Sequence, residues 1–158
     1  MIVKDIVYED LCNYKCPSMF IIFPYCSFKC DTENGNKICQ NSTLVTQPNY
    51  DLKITYIVDR YMKNSITHAI VCGGLEPLDS WSELKDFISC VRNNTHDDIV
   101  IYTGYNKEEI SDKIEWLSNY ENIIVKFGRY IPNQTPHYEE ILGVMLASDN
   151  QYAERLDK

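Results

Sequence analysis

The chain has 158 residues, 44% hydrophobic and 24% charged, with a formal net charge of −8. That length suits one domain with its own core, and the composition is that of a globular protein, not a disordered or fibrous one. The acidic balance argues against nucleic acid as a partner, because phosphate binding needs a basic surface, and no apolar run approaches the ~18 residues of a membrane span.

Residues 1–10 have neither the long apolar region nor the small-residue cleavage site of a secretory leader, so a cytoplasmic protein is expected. Met19-Phe-Ile-Ile-Phe23 reads as a short buried strand. A cysteine-bearing loop follows. Residues 51–63 place Ile54, Ile57, Val58, Tyr61 and Met62 at helical spacing. Ala69-Ile-Val-Cys72 is a second buried strand and runs into Gly73-Gly74. Residues 80–91 predict a helix with Leu84, Phe87, Ile88 and Val91 on one face, and Ser80 with Glu83 in capping-box spacing. Ile99-Val-Ile-Tyr102 is a third strand, ending in Thr103-Gly104. Residues 106–117 predict a third helix, capped by Asn106 and Glu109. Ile123-Ile-Val125 is a fourth strand, followed by Gly128. Residues 129–140 are polar, contain two prolines and read as a loop. Residues 142–146 read as a short fifth strand, and 149–158 carry no assignment. No internal repeat or low-complexity stretch divides the chain, so 1–158 is taken as a single domain.

Apolar strands separated by amphipathic helices predict a parallel sheet with right-handed crossovers. Ligands of such sheets bind beyond the carboxyl ends of the strands. Cys26, Gly73-Gly74, Thr103-Gly104 and Gly128 each follow one of these strands, so a parallel sheet brings them to one rim.

Seven cysteines in a reducing compartment point to metal ligands, reactive thiols or small core residues before disulfides. Cys72 and Cys90 sit in apolar patterns and read as core. The spacing Cys26-x3-Cys30-x8-Cys39 lacks the two close pairs of a zinc ribbon. Iron–sulfur clusters are usually held by four thiolates. Three in one loop, with no evident fourth, point to a [4Fe-4S] cluster with one open iron. Cys12 and Cys16 form a second Cys-x3-Cys with only two ligands in view. His68, His96 and His137 are scattered and show no ligand spacing.

A Cys-x3-Cys…Cys set after the first strand and Gly73-Gly-Leu-Glu-Pro-Leu78 after the second resemble the radical S-adenosylmethionine (SAM) superfamily. Within it, the chain resembles the activating enzymes of anaerobic (class III) ribonucleotide reductase over its whole length. Cys39-Gln-Asn41, Tyr102-Thr-Gly-Tyr105 and Ser148-Asp-Asn-Gln151 add to the likeness. The chain departs from that group in three places. The second cysteine gap is eight residues instead of two, Leu75 is extra within the glycine motif, and Lys126-Phe127-Gly128 replaces an aspartate-glycine. Residues 31–37, with turn chemistry at Glu33-Asn-Gly-Asn36, read as an insertion that still returns Cys39 to the cluster.

The resemblance implies an α/β fold: a truncated, open (β/α) partial barrel of about five parallel strands. It implies that Cys26, Cys30 and Cys39 ligate three irons, and that the fourth iron takes the amino and carboxylate groups of SAM. Gly73 and Gly74 would let backbone approach SAM, Glu76 would orient that strand end, Thr103 and Gly104 would lie under ribose or methionine, and Ile38 would contact adenine. It further implies a glycyl-radical activase acting on the large subunit of an anaerobic ribonucleotide reductase and reduced by a flavodoxin or ferredoxin. Two other readings stand beside it: a radical SAM enzyme acting on a small molecule or peptide, similar to 7-carboxy-7-deazaguanine synthase, and a non-enzymatic zinc or iron–sulfur module using Cys12, Cys16, Cys26 and Cys30.

Overall fold

The computed structural model describes residues 1–156. Its centre is a six-stranded, mostly parallel sheet. Four parallel strands form the middle: β3 (Ser18–Phe23), β5 (Ala69–Gly74), β6 (Asp98–Tyr102) and β7 (Ile123–Phe127). Each new strand is added beside the previous one in the same direction, with a helix in every crossover. These are α2 (Ile54–Met62), α3 (Trp81–Arg92) and α4 (Ser111–Leu117). The register sets Phe23 beside Gly74, Cys72 beside Ile101 and Tyr102 beside Lys126, so the strands end along one rim.

Side-chain alternation along the strands builds two cores. Met19, Ile21, Phe23, Ile70, Cys72, Ile99, Ile101, Ile123, Val125 and Phe127 face the helices and meet Ile57, Val58, Leu84, Phe87, Ile88, Val91 and Leu117. Ala69, Val71, Val100 and Ile124 face the other way and meet Tyr14, Leu142, Leu146 and Ala153. The four central strands are mostly apolar because both of their faces are covered.

The expected fifth parallel strand does not join this sheet. Residues 144–146 form β9 (Val144–Leu146), which pairs antiparallel with β8 (His137–Glu139) inside the segment read as a loop. Leu142 and Leu146 are apolar because they cover the second face of the sheet. The sheet is completed instead by two antiparallel edges, β2 (Asp5–Asp10) beside β3 and β10 (Tyr152–Arg155) beside β7. A further small ladder joins β1 (Ile2–Val3) to β4 (Tyr50–Asp51). The Asn106–Glu109 capping box forms. The Ser80–Glu83 box does not: Ser80 makes no side-chain cap, and Glu83 Oε1 accepts from the Ile2 amide at 3.0 Å. Among the described residues no helix is long and apolar enough to cross a membrane.

Candidate functional site

The carboxyl rim of the four parallel strands opens into a cavity of about 390 Å³. Cys26, Cys30 and Cys39 all line it, and all three are free thiols. Gly74, Glu76, Thr103 and Gly104 line it from the ends of β5 and β6, and Lys126 and Gly128 from the end of β7. Gly73 and Ile38 are not among its lining residues. Ile38 instead borders a second cavity, of about 290 Å³, that shares Cys30 and Tyr130 with the first. Cys12 and Cys16 line neither cavity.

Each cysteine is placed by a distinct local device. Cys26 follows β3, and its Sγ accepts a hydrogen bond from the Phe28 amide at 3.2 Å. Phe28 is left-handed (φ 52°) and turns the chain into the short helix α1 (Lys29–Asn34), which carries Cys30. Gly35, at φ 72°, ends that helix in the conformation glycine tolerates best. Asp31 then closes the long gap. Its Oδ1 accepts from the amides of Ile38 and Cys39, both at 2.8 Å. A carboxylate bound by two backbone N–H groups is a strong tether, and this one returns Cys39 to the cavity across the atypical spacing. Beyond Cys39, Asn41 Nδ2 donates to the Gly74 carbonyl at 2.9 Å. Lys4 Nζ holds the next turn through the carbonyls of Val45 (3.0 Å) and Gln47 (2.7 Å).

The two glycines of the β5 end have different reasons to be glycine. A Cβ on Gly73 would lie 2.8 Å from the Phe20 ring, so its role here is close packing within the sheet. Gly74 has φ +86°, and a Cβ there would meet Ile22 Cγ2 at 2.4 Å and Cα at 3.1 Å. Only glycine lets the chain leave β5 over Ile22 toward the cavity.

Glu76 joins three strand ends. Its amide donates to Tyr25 O at 2.7 Å, and its carboxylate accepts from the amides of Leu78 (3.1 Å) and Gly104 (2.8 Å). It is only 6% exposed. Burial outweighs these hydrogen bonds and pushes its pKa up to about 7. At the neighbouring rim Tyr105 donates to Asp79 Oδ1 at 2.6 Å, and Asp79 Oδ2 accepts from the Ser27 amide at 2.6 Å. Arg129 makes a two-pronged pair with Glu109, 2.7 Å at each contact. The Ser148-Asp-Asn-Gln151 segment closes the far side. Gln151 Oε1 accepts from the amides of Ala147 (3.1 Å) and Ser148 (3.2 Å), and Asn150 Nδ2 donates to Arg129 O at 2.9 Å.

The donor set fits a cluster better than a single ion. Among the described residues no group of three or more His, Cys, Asp or Glu side chains is placed to hold one metal ion. A cubane asks for less convergence, since each thiolate takes a different iron. Three sulfurs on the wall of one cavity meet that demand. Burial pushes Cys26 up to about 12, against the Phe28 hydrogen bond, and raises Cys30, with the nearby Cys39 adding to it. Thiols of this kind stay protonated at neutral pH until a metal displaces the proton.

Asp31 and Lys126 escaped the sequence reading as site residues. Asp31 looks like any loop carboxylate until the chain folds back on it. Lys126 had a visible signal, a lone cation in the apolar run Ile123-Ile-Val-Lys-Phe127. A model of the family described as "4Fe-4S single cluster domain" matches residues 7–151. No curated protein and no solved structure is significantly similar to the chain.

Proposed function

The chain belongs to the 4Fe-4S single cluster domain family, and from that premise we propose that it is a radical SAM oxidoreductase that activates a glycyl-radical enzyme, an anaerobic ribonucleotide reductase. The carrying observation is that three free cysteines, the Gly74–Glu76 strand end and Thr103-Gly104 line one cavity beyond four parallel strands. The consecutive winding of those strands supports a truncated (β/α) barrel core, with four parallel strands in place of five.

Cys26, Cys30 and Cys39 would hold the cluster and leave one iron for SAM. Bound there, the cluster would supply the chemistry of one-electron reductive cleavage of the SAM C5′–S bond, to methionine and a 5′-deoxyadenosyl radical able to take a hydrogen atom from a target Cα–H. The chain's own residues do the rest. Glu76 fixes the β5 and β6 ends through the amides of Leu78 and Gly104. Gly74 keeps the wall of the cavity thin. Asp31 holds Cys39 in place, and the Phe28 amide bonded to Cys26 Sγ tunes a sulfur that would bind iron. The electron would come from a flavodoxin or ferredoxin, and the hydrogen atom from a glycine of the reductase large subunit.

The test is anaerobic reconstitution. The protein should take up about four irons per chain, as one cubane requires, and should form methionine and 5′-deoxyadenosine from SAM when reduced. Cys39→Ala should abolish both. Full cluster content and turnover in that variant would overturn the ligand set. With the cognate reductase added, a carbon-centred radical should appear on the reductase by electron paramagnetic resonance. SAM cleavage without that signal would remove the activase reading.

A further inference from the structure

Arg129 is a buried cation that stands behind the cysteine segment. It is not among the residues lining the 390 Å³ cavity. It borders the second cavity, of about 290 Å³, and a small slot of about 20 Å³. Cys30 borders both of these with it, and Cys26 borders the slot. Arg129 and Cys30 lie within Coulomb range of each other.

The counter-charges of Arg129 are close, but they are not buried with it. Its Nη1 and Nη2 donate to Glu109 Oε2 and Oε1, and its Nε faces Glu33 Oε2 at 3.2 Å. The Arg129 side chain is 7% exposed, whereas those of Glu109 and Glu33 are 30% and 58% exposed. Glu109 borders neither the second cavity nor the slot. Water and salt screen an exposed charge far more than a buried one. The ion pairs therefore do not cancel on the side of the sulfurs, where the guanidinium dominates. Arginine also stays charged at every working pH, so this charge is fixed. A clasp on α1 alone does not require a buried cation: Lys29 makes one with Glu109 at 3.2 Å while 44% exposed.

One-electron reduction of an iron–sulfur cluster adds a negative charge, and its potential depends on the charge around it. We infer that Arg129 is a fixed positive charge set behind Cys30 to favour the reduced cluster, making it easier for a low-potential one-electron donor to reduce. The inference rests on the reading that Cys26, Cys30 and Cys39 hold the cluster. It does not depend on SAM or on the target of the radical. No bond is made or broken in the step: the donor loses one electron and the cluster gains it.

The experiment is a redox titration of the full, anaerobically reconstituted chain without SAM, followed by electron paramagnetic resonance of the reduced cluster. The proteins are wild type, Arg129→Met, Arg129→Lys and Glu109→Gln. Iron content and circular dichroism check that each variant folds and is loaded. Arg129→Met should lower the reduction equilibrium constant about tenfold or more, a fall of about 59 mV for one electron. Arg129→Lys keeps the charge and should stay within about threefold of wild type. Glu109→Gln removes a screened charge and should also stay within about threefold. An unchanged potential in Arg129→Met would leave only a clasp and would overturn the inference, even if that variant lost iron faster. A tenfold fall in Arg129→Lys would overturn it too, by assigning the effect to shape. So would a tenfold rise in Glu109→Gln, which would mean that the pair acts as a neutral whole. Should Arg129→Met hold no cluster, the other two variants decide on these same limits. A loaded wild type with an unshifted Arg129→Met sinks this inference alone, and a wild type that takes up no four-iron cluster sinks the ligand set with it.

Discussion

The two rims of the central sheet handle charge in opposite ways. At the amino-terminal rim the charges are saturated. Asp98, which opens β6, accepts from both Arg155 Nη atoms (2.7 and 3.1 Å) and from Tyr14 OH at 2.6 Å. Tyr61 OH donates to Asp97 at 2.6 Å, and Arg92 donates to four backbone carbonyls, those of Glu121, Thr95, Asp97 and Asn122. At the carboxyl rim Arg129 pairs with Glu109, but among the described residues Lys126 has one hydrogen-bond acceptor, and Cys26, Cys30 and Cys39 are free thiols. Saturated charge locks strands together. Charge left with spare bonding capacity marks where something else is to be bound. The same sheet thus has a structural rim and a chemical rim.

The difference is sharpest where the chemical rim is loosened alone. Asp31→Ala removes two hydrogen bonds to a charged acceptor, each of about 1.5–3 kcal/mol, from a segment that carries no fully buried residue. Iron retained after desalting should fall to less than about half of wild type, while the melting temperature of the metal-free protein stays within about 2 °C, because no core contact is lost. A large fall in that melting temperature would mean that the cysteine segment belongs to the cooperative core.

The converse change strikes the structural rim. Asp98→Ala removes the carboxylate that Arg155 and Tyr14 share, leaving Arg155 its bond to Asn122 Oδ1 at 3.2 Å. Removing one partner of a mostly buried pair costs about 3–4 kcal/mol; here the side chains are 22% and 29% exposed. Urea denaturation should show that loss, with SAM affinity of the surviving folded protein unchanged. Weakened SAM binding at equal iron content would show that the two rims are coupled.

The pH dependence should also separate them. Burial works against the Asp98 carboxylate, but Arg155 and Tyr14 hold its pKa below the ordinary value of 3.8. Its contribution is therefore present at neutral pH and is lost only as pH falls below that value. Glu76 has the opposite sign. Its folded pKa, about 7, stands above the ordinary 4.5. The folded state holds the extra proton, so stability falls as pH rises from about 4.5 to 7, by on the order of 3 kcal/mol at about 1.4 kcal/mol per unit. Lys126, depressed from 10.5 to about 8, costs stability below pH 8 and returns it as pH climbs toward 10.5. Denaturation of the metal-free protein from pH 4.5 to 7 should show the Glu76 fall in wild type and lose it in Glu76→Gln. Identical slopes in the two proteins would remove Glu76 as its source.

How much of this was readable in the sequence follows from where the partners lie. The central strands and their helices were legible because an apolar run or a helical stripe reports its own burial. β2 and β10 were not: as edges they mix charged and apolar residues, and β10 is four residues long. The strand expected over 142–146 forms at Val144–Leu146 but not in the parallel sheet, because covering a sheet face and lying within a sheet leave the same apolar mark. Glu83 has capping-box spacing, yet its partner is the Ile2 amide, far away in sequence. Within the site, three cysteines and the strand-end glycines could be read by spacing and expected rim position. Asp31 could not, because its value comes from a fold-back that local sequence does not encode.

That fold-back can be tested with the mildest change of all. Gly35 ends α1 at φ +72°, and a Cβ added there meets no atom within 4 Å. Gly35→Ala therefore meets no steric obstacle, and its cost is the left-handed conformation alone, about 1–2 kcal/mol locally. At Gly74 the same substitution would also collide with Ile22, 2.4 Å from its Cγ2 and 3.1 Å from its Cα, so the pair separates conformational strain from packing. If the cysteine segment moves independently of the core, the local cost is absorbed by fraying. Global stability of Gly35→Ala should then change by less than about 0.5 kcal/mol. The strain still acts on cluster retention, because Cys39 must return across this turn. Iron loss to a chelator should be faster, by at most about five- to thirtyfold for a 1–2 kcal/mol penalty. Unchanged iron loss together with lowered global stability would reverse the assignment, making the insertion part of the structural body and leaving Asp31 without a separate role at the chemical rim.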